Sequence, residues 1–260
     1  MRFTSSLSVK FYIYVFLIIL ALASVFMLQK LDLILQLVFA TLAAALIDLS
    51  INFIKLRKLV LPSSAVISGL FIGIILPASS LIVLASAALL AIISKHAIRF
   101  HKRHIFNPAA FGIVISSAVF GIVPIWWVSA TLLVIPLGLF IVYKIKKWLL
   151  AFSFIASYYI IAAVQNVSNI SAISYLTLAF FAFFMLIEPL TSAYTKKAMA
   201  VQGLLVSILV IVFSNFIYGA DIFLLPLLAS NIFVPLLNKK LQPRAKSIQE
   251  APTAPPIAAA

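Results

Sequence analysis

Two acidic residues lie in apolar stretches of the sequence, where a carboxylate needs a physical reason to be present. Asp48 is followed one helical turn later, on the same face, by Asn52. A charge in apolar surroundings is costly and is usually paired or takes part in ion transfer. Asp48 is therefore expected either to pair with the nearby Lys55 or Arg57, or to act as a protonatable or cation-binding group.

Glu188 is the second such carboxylate, and Pro189, Thr191 and Ser192 follow it directly. It either neutralises nearby basic loops or forms a polar site with Thr191 and Ser192. Similar residues follow Pro77, so a Pro-x-[Ser/Thr]-Ser pattern occurs twice in the chain. Proline breaks at matching places of two halves favour broken helices that line a site in the middle of a membrane.

The stretch before Pro77 allows a simpler interpretation. Ala65, Gly69 and Gly73 recur every four residues, which puts small side chains on one helix face. Such a face lets another helix backbone approach closely. Tight helix packing and a broken helix beside a site both remain open for this stretch.

Asn107-Pro108 is the third feature that could do chemistry. Asn before Pro is a typical N-terminal helix cap. The alternative is a helix N-terminus aimed at a phosphate or carboxylate, supported by the preceding bases Lys95, Arg99 and Arg103.

Other polar residues are assigned simpler roles. The histidines of the same basic stretch, His96, His101 and His104, are expected in a solvated loop, although they could tune an anion site. Asn231 lies in a late apolar stretch and is expected to form an interhelical hydrogen bond. The chain has no Cys and three His, which excludes disulfides, thiolate metal sites and a Cys nucleophile, and no metal site is predicted.

The composition identifies the elements that must position these residues. The chain has 260 residues, of which 65% are hydrophobic and 9% charged, and its mean hydropathy is +1.25. A soluble domain has about 25% charged residues, so a soluble protein is excluded. The net charge of +14 could suggest nucleic acid, but the bases lie between apolar runs. They are therefore interpreted as topology signals facing anionic lipid, with no nucleic-acid partner.

The apolar runs predict an all-α integral membrane protein with ten transmembrane helices. With the N-terminus in the cytoplasm, every Lys and Arg except Lys30 falls on the cytoplasmic side, and so does the C-terminus. Trp126 and Trp127 are expected in an outer interfacial belt. The spans are predicted at 11–29, 33–54, 64–76, 80–94, 105–121, 124–143, 148–164, 172–187, 198–214 and 221–237.

This topology has consequences for the domain organisation. Residues 1–241 form one multi-pass domain, which we place in the plasma membrane, and 242–260 form a disordered cytoplasmic tail. Spans 1 and 6 start on opposite sides, so the halves, about 10–121 and 122–240, would be inverted repeats.

Several motifs resemble those of the RnfD/NqrB family, integral subunits of ion-translocating electron transport complexes. Ser94–His96 with His104–Gly112 is similar to the family's Gly-Lys-His and Phe-Asn-Pro-Ala signature. Phe184–Ser192 resembles its Phe-Met-x-x-Asp-Pro-x-Thr-Ser stretch, with Glu188 replacing the aspartate. Leu228–Leu236 resembles its closing Leu-x-Asn-x-x-x-Pro, and Pro62–Pro77 its Pro-x-Ser-Ala, Gly and Leu-Pro pattern.

The resemblance implies ten spans in two inverted five-helix halves, like urea transporters, and coupling of electron flow to Na⁺ or H⁺ translocation beside other redox-complex subunits. Family members with covalent FMN carry Ser-Gly-Ala-Thr in an outer loop, which here is only Gly121–Pro124. The resemblance therefore implies a reduced member in which covalent FMN is absent and any flavin, FMN or riboflavin, is bound non-covalently.

The resemblance also implies where a flavin would bind. The inner half-site would contain Asn107, Glu188, Thr191, Ser192 and Asn231. A flavin phosphate would meet the start of span 5 and the side chains of Lys95, Arg99 or Arg103.

Two other functions remain open. Without a flavin loop, the same scaffold could be a small-solute channel or secondary transporter, with the breaks at Pro77 and Pro189 in its centre. It could also be a purely structural partner of other redox subunits.

Overall fold

The computed structural model describes residues 4–76, 80–100, 103–165, 174–216 and 221–241. Within these ranges the regular elements are helices, apart from a hairpin of two two-residue strands. The elements are α1 (Thr4–Leu28), α2 (Asp32–Leu56), α3 (Ser63–Ile75), α4 (Leu81–Ala97), β1 (Arg99–Phe100), β2 (Arg103–His104), α5 (Pro108–Phe120), α6 (Val134–Ile145), α7 (Trp148–Val164), α8 (Tyr175–Phe180), α9 (Lys196–Phe216) and α10 (Leu224–Lys240).

The helices are apolar, which confirms the predicted all-α membrane class. Among the described residues, three helices are long and apolar enough to cross a membrane by length and composition: Val9–Leu28, Asp32–Leu56 and Lys196–Asn215. Six shorter apolar helices have 10–17 residues. The count of ten spans, the inverted repeats and the side of each terminus stay predictions, and the predicted tail 242–260 lies outside the described residues.

The small residues of α3 form a close contact with α2. A Cβ added at Gly69 would lie 2.5 Å from Thr41 Cα and 2.7 Å from the Ala40 carbonyl oxygen. A Cβ at Gly73 would lie 2.7 Å from Leu37 Cα. The tight-packing interpretation of this face is therefore confirmed, because only glycine allows the two backbones to approach this far.

The helices pack in two groups that meet through α5 and α10. In the first group, α2 packs on α3 and α4, and α4 packs on α5. In the second group, α9 packs on both α7 and α10. Helix α1 contacts α6, and α5 contacts α10, so the polar residues of the two groups are brought together at these contacts.

The region predicted as a continuous sixth span, 124–143, is interrupted. A short 3₁₀ turn occupies Trp127–Ala130, and α6 starts only at Val134. Trp126 and Trp127, which were predicted in an outer interfacial belt, are 9% and 7% exposed, so their rings pack mainly against the protein. Their indole N–H groups find partners inside the protein: Trp126 donates to Asp221, and Trp127 donates to the Gly73 carbonyl at 3.0 Å.

The predicted eighth span changes its helix type. After α8, residues Phe181–Met185 form a π-helical turn, in which the Leu186 N–H bonds the Phe181 carbonyl at 2.9 Å. π-Helical turns are rare and occur often at functional sites. Residues 186–195 then run without regular helix to the start of α9, and we call them the irregular segment.

Candidate functional site

The irregular segment is held by side chains from the helices around it. The Ala193 N–H donates to Gln202 Oε1 of α9 at 2.8 Å. The Ala193 carbonyl accepts from Nζ of Lys147, which lies in the turn between α6 and α7. Buried backbone groups outside a helix need such partners, so these side chains fix the path of the segment.

Lys147 is an unusual residue for this position because its side chain is buried. Burial lowers the pKa of Lys147 to about 8, and the positive charge of Arg103 shifts the pKa in the same direction. Its ammonium group therefore holds the irregular segment, and the free energy that its burial costs depends on pH.

Asn231 of α10 connects the segment to the start of α5. Its Oδ1 accepts the Asn107 N–H at 3.1 Å, and its Nδ2 donates to the Thr191 carbonyl at 3.0 Å. The expected interhelical hydrogen bond of Asn231 is thus present. All three residues are buried, at 1–3% exposure.

The start of α5 has the predicted cap. Asn107 Oδ1 accepts the Ala110 N–H at 3.1 Å, and its Nδ2 donates to the Met185 carbonyl at 3.4 Å. The Asn107 N–H is taken by Asn231, and Pro108 has no N–H. Few N–H groups at this helix end are left to bind a phosphate. The geometry therefore favours a helix cap over an anion-binding site.

Glu188 is the centre of a polar group on the irregular segment. Its Oε2 accepts from Thr191 Oγ1 at 2.9 Å, and Ser192 Oγ donates to its carbonyl at 2.6 Å. The structure therefore shows the second of the two alternatives, in which Glu188 forms a polar group with Thr191 and Ser192. Its Oε1 also lies 3.1 Å from Nε2 of His104.

The expectation of a solvated histidine loop was wrong for His104, which is 6% exposed. The β1–β2 hairpin turns its side chain towards Glu188, where the carboxylate offsets its burial. His101 lies outside the described residues.

Asp48 is paired, but not with the expected residues. Its Oδ1 lies 2.9 Å from Lys95 Nζ and 2.8 Å from His96 Nε2, both at the end of α4. Lys55 and Arg57 are exposed. The predicted partners were wrong because the packing of α4 on α2 brings the end of α4 over Asp48, which is 2% exposed.

A large cavity lies between the first helix group, helices α1 and α6, and the irregular segment, and we call it the main cavity. Its volume is about 840 Å³. Five of the residues predicted from sequence line it: Lys95, Arg99, Asn107, Glu188 and Pro189. Three further predicted residues, Arg103, Thr191 and Asn231, line a neighbouring cavity of about 330 Å³. His104 and Leu190 line both cavities.

The remaining predicted residues lie elsewhere. Ser192 is fully buried beside Glu188, Asp48 lies behind Lys95 and His96, and Pro77 lies outside the described residues.

Several lining residues were not predicted as site residues. Lys10, Lys144 and Lys146 line the main cavity, as do the aromatic rings of Phe71 and Phe184. In the sequence these lysines read only as topology signals at helix ends. They line the same cavity because α1 contacts α6, and no local sequence pattern predicts that contact.

A stack of buried rings extends from the main cavity towards Trp126. Phe184 lines the cavity and stacks on Phe180, with ring centroids 5.1 Å apart. Phe180 contacts Trp126 at 6.0 Å. Trp126 in turn donates to Asp221 and lines a separate cavity of about 510 Å³ with Lys30 and Asp32. Aromatic side chains therefore occupy the space between the two cavities.

The chain matches the model of a protein family. A family model described as the NQR2, RnfD, RnfE family matches residues 115–247, a range that includes α6 to α10 and the whole irregular segment. No curated protein matches the chain.

Proposed function

The chain belongs to the NQR2, RnfD, RnfE family, and from this premise we propose that it couples electron transfer to Na⁺ or H⁺ translocation within a complex of membrane subunits. The family supplies the general class, a membrane subunit of an Rnf/Nqr-type electron transport complex. We propose further that it spans the plasma membrane ten times, with both termini in the cytoplasm.

The main cavity is the observation that carries this proposal. Its volume, about 840 Å³, is within the range of small-molecule sites, roughly 300–1,000 Å³. Its wall combines the rings of Phe71 and Phe184 with the polar groups of Asn107 and Glu188. Planar apolar faces and a few directed polar groups are what a flavin ring requires.

We propose that this cavity binds a flavin, FMN or riboflavin, without a covalent bond. A flavin bound there supplies one-electron and two-electron transfer. The residues of the chain would position it: Phe71 and Phe184 would exclude water from the ring, and the partly exposed carboxylate of Glu188 would accept its hydrogen bonds. Asn107, whose polar groups bond Ala110, Met185 and Asn231, would hold the cavity wall in place. The loop Gly121–Pro124 contains no Thr, so it offers no hydroxyl for a phosphoester bond.

We assign the ion pathway to the polar residues around the irregular segment. Glu188 is the carboxylate best placed to exchange an ion or proton, because its side chain is 25% exposed and lines the main cavity. Pro189 and Asn231 keep the segment out of a helix, and Pro77 is the proposed counterpart of Pro189. Asp48 stays paired with Lys95 and sets the charge of the cavity wall.

The proposed inverted repeat is supported by two helix starts. Asn107 caps α5, and Asp221 accepts the N–H groups of Phe223 and Leu224, at 2.8 and 2.6 Å, at the start of α10. Each helix also carries a polar residue in its interior, Ser117 in α5 and Asn231 in α10. Helices with a polar side chain at the start and another inside are expected at corresponding places if the halves are related.

A small-solute secondary transporter is the second candidate function. The break at Pro189 beside the main cavity favours it, since transporter sites are typically formed by interrupted helices. The ring stack from Phe184 to Trp126 speaks against an open channel, because it leaves no continuous water-filled path through that part of the protein.

The deciding experiment is purification of the full chain in detergent, followed by absorption spectroscopy. We expect a flavin spectrum with close to one flavin per chain, released intact by acid because no covalent bond holds it. Asn107→Leu should lose most of the flavin while the protein stays monodisperse, whereas Asn215→Leu, at the far end of α9, should retain it. A colourless protein whose liposomes transport a small solute would contradict the redox proposal and favour the transporter.

A further inference from the structure

The main cavity has a strong excess of positive charge. Five basic side chains line it, Lys10, Lys95, Arg99, Lys144 and Lys146, and Glu188 is the one carboxylate among its lining residues. Asp48 neutralises Lys95 from behind the wall, and His104 contacts Glu188. The excess positive charge therefore lies mainly on the basic side chains outside these two pairs.

Three of the bases form a group at the end of the cavity where α1 meets α6. Lys10 belongs to α1, and Lys144 and Lys146 belong to the end of α6. The two helices are joined by ring contacts of Phe140 with Tyr12 and Phe16, at 5.2 and 5.4 Å between centroids. We call Lys10, Lys144 and Lys146 the lysine cluster.

The contacts of the lysine cluster do not neutralise its charge. Lys10 Nζ donates to the Ser63 hydroxyl at 3.2 Å. Lys144 Nζ lies 5.7 and 5.4 Å from the ring centroids of Tyr12 and Phe140. Among the described residues, no carboxylate pairs with any of the three. Lys144 and Lys146 are exposed, and Lys10 is half-buried. Basic side chains that line the same cavity together attract an anion.

We propose that the lysine cluster binds the phosphate group of a phosphate monoester whose remaining part extends along Phe71 and Phe184. The start of α5 is a poorer phosphate site, because Asn231 and Asn107 already occupy its N–H groups. The proposed flavin site enters this proposal at one point only: it identifies the phosphate monoester as FMN, which should then bind in preference to riboflavin. An anionic lipid headgroup has the same phosphate chemistry, so the test separates the two sources.

The test measures binding of FMN and riboflavin to the full chain in phosphatidylcholine nanodiscs, by quenching of flavin fluorescence. We expect FMN to bind at least about tenfold more tightly than riboflavin, since charge-assisted hydrogen bonds to its phosphate are added. Inorganic phosphate should compete with FMN and not with riboflavin. The double variant Lys144→Gln/Lys146→Gln should lose the preference for FMN and keep the affinity for riboflavin.

The matched control is Lys55→Gln/Lys58→Gln, which removes two exposed bases that do not line the main cavity. It should keep the full preference for FMN. Equal affinities for the two flavins in the unmodified protein, or an equal loss of preference in both double variants, would overturn the proposal. Size-exclusion profiles of all variants check that they are folded.

Nanodiscs that contain phosphatidylglycerol identify the source of the phosphate. If the FMN preference persists in them, the site takes a soluble phosphate ester. If the preference disappears in the unmodified protein, the headgroup occupies the lysine cluster, and the phosphate site stands with a lipid as its ligand.

A result without flavin binding is also informative. If neither flavin binds, the proposed cofactor fails, and the phosphate site is tested alone with inorganic pyrophosphate and thermal unfolding. Stabilisation of the unmodified protein and of the Lys55→Gln/Lys58→Gln control, but not of Lys144→Gln/Lys146→Gln, supports the phosphate site. No stabilisation of the unmodified protein overturns it.

Discussion

The side-chain amide of Asn231 is the shared partner of Asn107 and Thr191: it accepts the Asn107 N–H at 3.1 Å and donates to the Thr191 carbonyl at 3.0 Å. Residues far apart in the sequence are thereby fixed by one buried group. The link that Asn231 makes between the start of α5 and the irregular segment lasts only while both hydrogen bonds are intact.

Replacing Asn231 by Leu should therefore destabilise the protein by about 2–5 kcal/mol, because two buried backbone groups lose their partners at about 1–3 kcal/mol each. Thermal unfolding in detergent measures the change. Ser230→Ala is the matched control, since Ser230 is equally buried but bonds only its own helix, to the Leu227 carbonyl. A similar loss of stability in both variants would show that the hydrogen bonds of Asn231 to α5 and to the irregular segment contribute little.

Asp48→Asn should have opposite effects on stability and on anion binding. Stability should fall by about 2–3 kcal/mol, less than for a fully buried pair, because Lys95 is 16% exposed. The affinity for FMN should rise, since Lys95 is no longer neutralised at the cavity wall. Thermal unfolding and fluorescence titration measure the two quantities. Asp32→Asn, at an exposed carboxylate, should change neither, and weaker FMN binding by Asp48→Asn would contradict the assigned role.

Because Lys147 is buried, we expect the stability of the protein to depend on pH in an unusual way. Burial lowers its pKa from the ordinary lysine value of 10.5 to about 8 in the folded protein. Between these two values the unfolded chain binds more protons, so the free energy of unfolding rises with pH, by on the order of 3 kcal/mol in total. Below pH 8 both states are protonated, and the cost of burying the charge is constant.

Unfolding temperatures measured from pH 7 to 9.5 test this dependence. Lys147→Met should flatten the rise, whereas Lys146→Met, at the adjacent lysine, should retain it. A rise of the same size in Lys147→Met would assign it to other groups.

Gly69→Ala should destabilise the protein by about 1–3 kcal/mol. The new methyl group would meet the α2 backbone at 2.5 Å, and two packed helices must separate to admit it. Gly121→Asn is the comparison: a Cβ there meets nothing within 4 Å, and Asn tolerates the φ of +67°. Thermal unfolding of the two variants should differ clearly, and equal values would argue against close packing of α2 and α3.

The sequence predicted the helices well because apolar runs and helix caps are local signals. Asn107 caps α5 as its Asn-Pro pair indicates, and Gly69 and Gly73 pack as their spacing indicates. The break near Trp127 was missed, since residues 124–143 are as apolar as a continuous span, and so was the π-helical turn after Phe180. Buried polar partners such as Asp221 and Gln202 hold the chain near these places, and sequence hydropathy does not detect them.

The candidate site was predicted in part for the same reason. Glu188, Thr191 and Ser192 are neighbours in sequence, and their grouping follows from local geometry. The pairing of Asp48 with Lys95 and the approach of Lys10 to Lys144 depend on helix contacts between distant parts of the chain. Charge counting identified these bases but could not assign their partners.

The way the irregular segment is held has a consequence for synthesis at the translocon. The preceding helical stretch, six residues of α8 and five of the π-helical turn, is about 16 Å long and is too short to cross a bilayer. Gln202, Asn231 and Asn238, which bond the segment's backbone, are made later in the chain. Until α10 emerges from the ribosome, the Thr191 carbonyl and the Tyr194 N–H lack the partners that Asn231 and Asn238 supply, so the nascent segment must wait in water or beside the translocon. Stable insertion of this region is therefore expected to be a late step, and a truncation before α10 should be recognised and degraded.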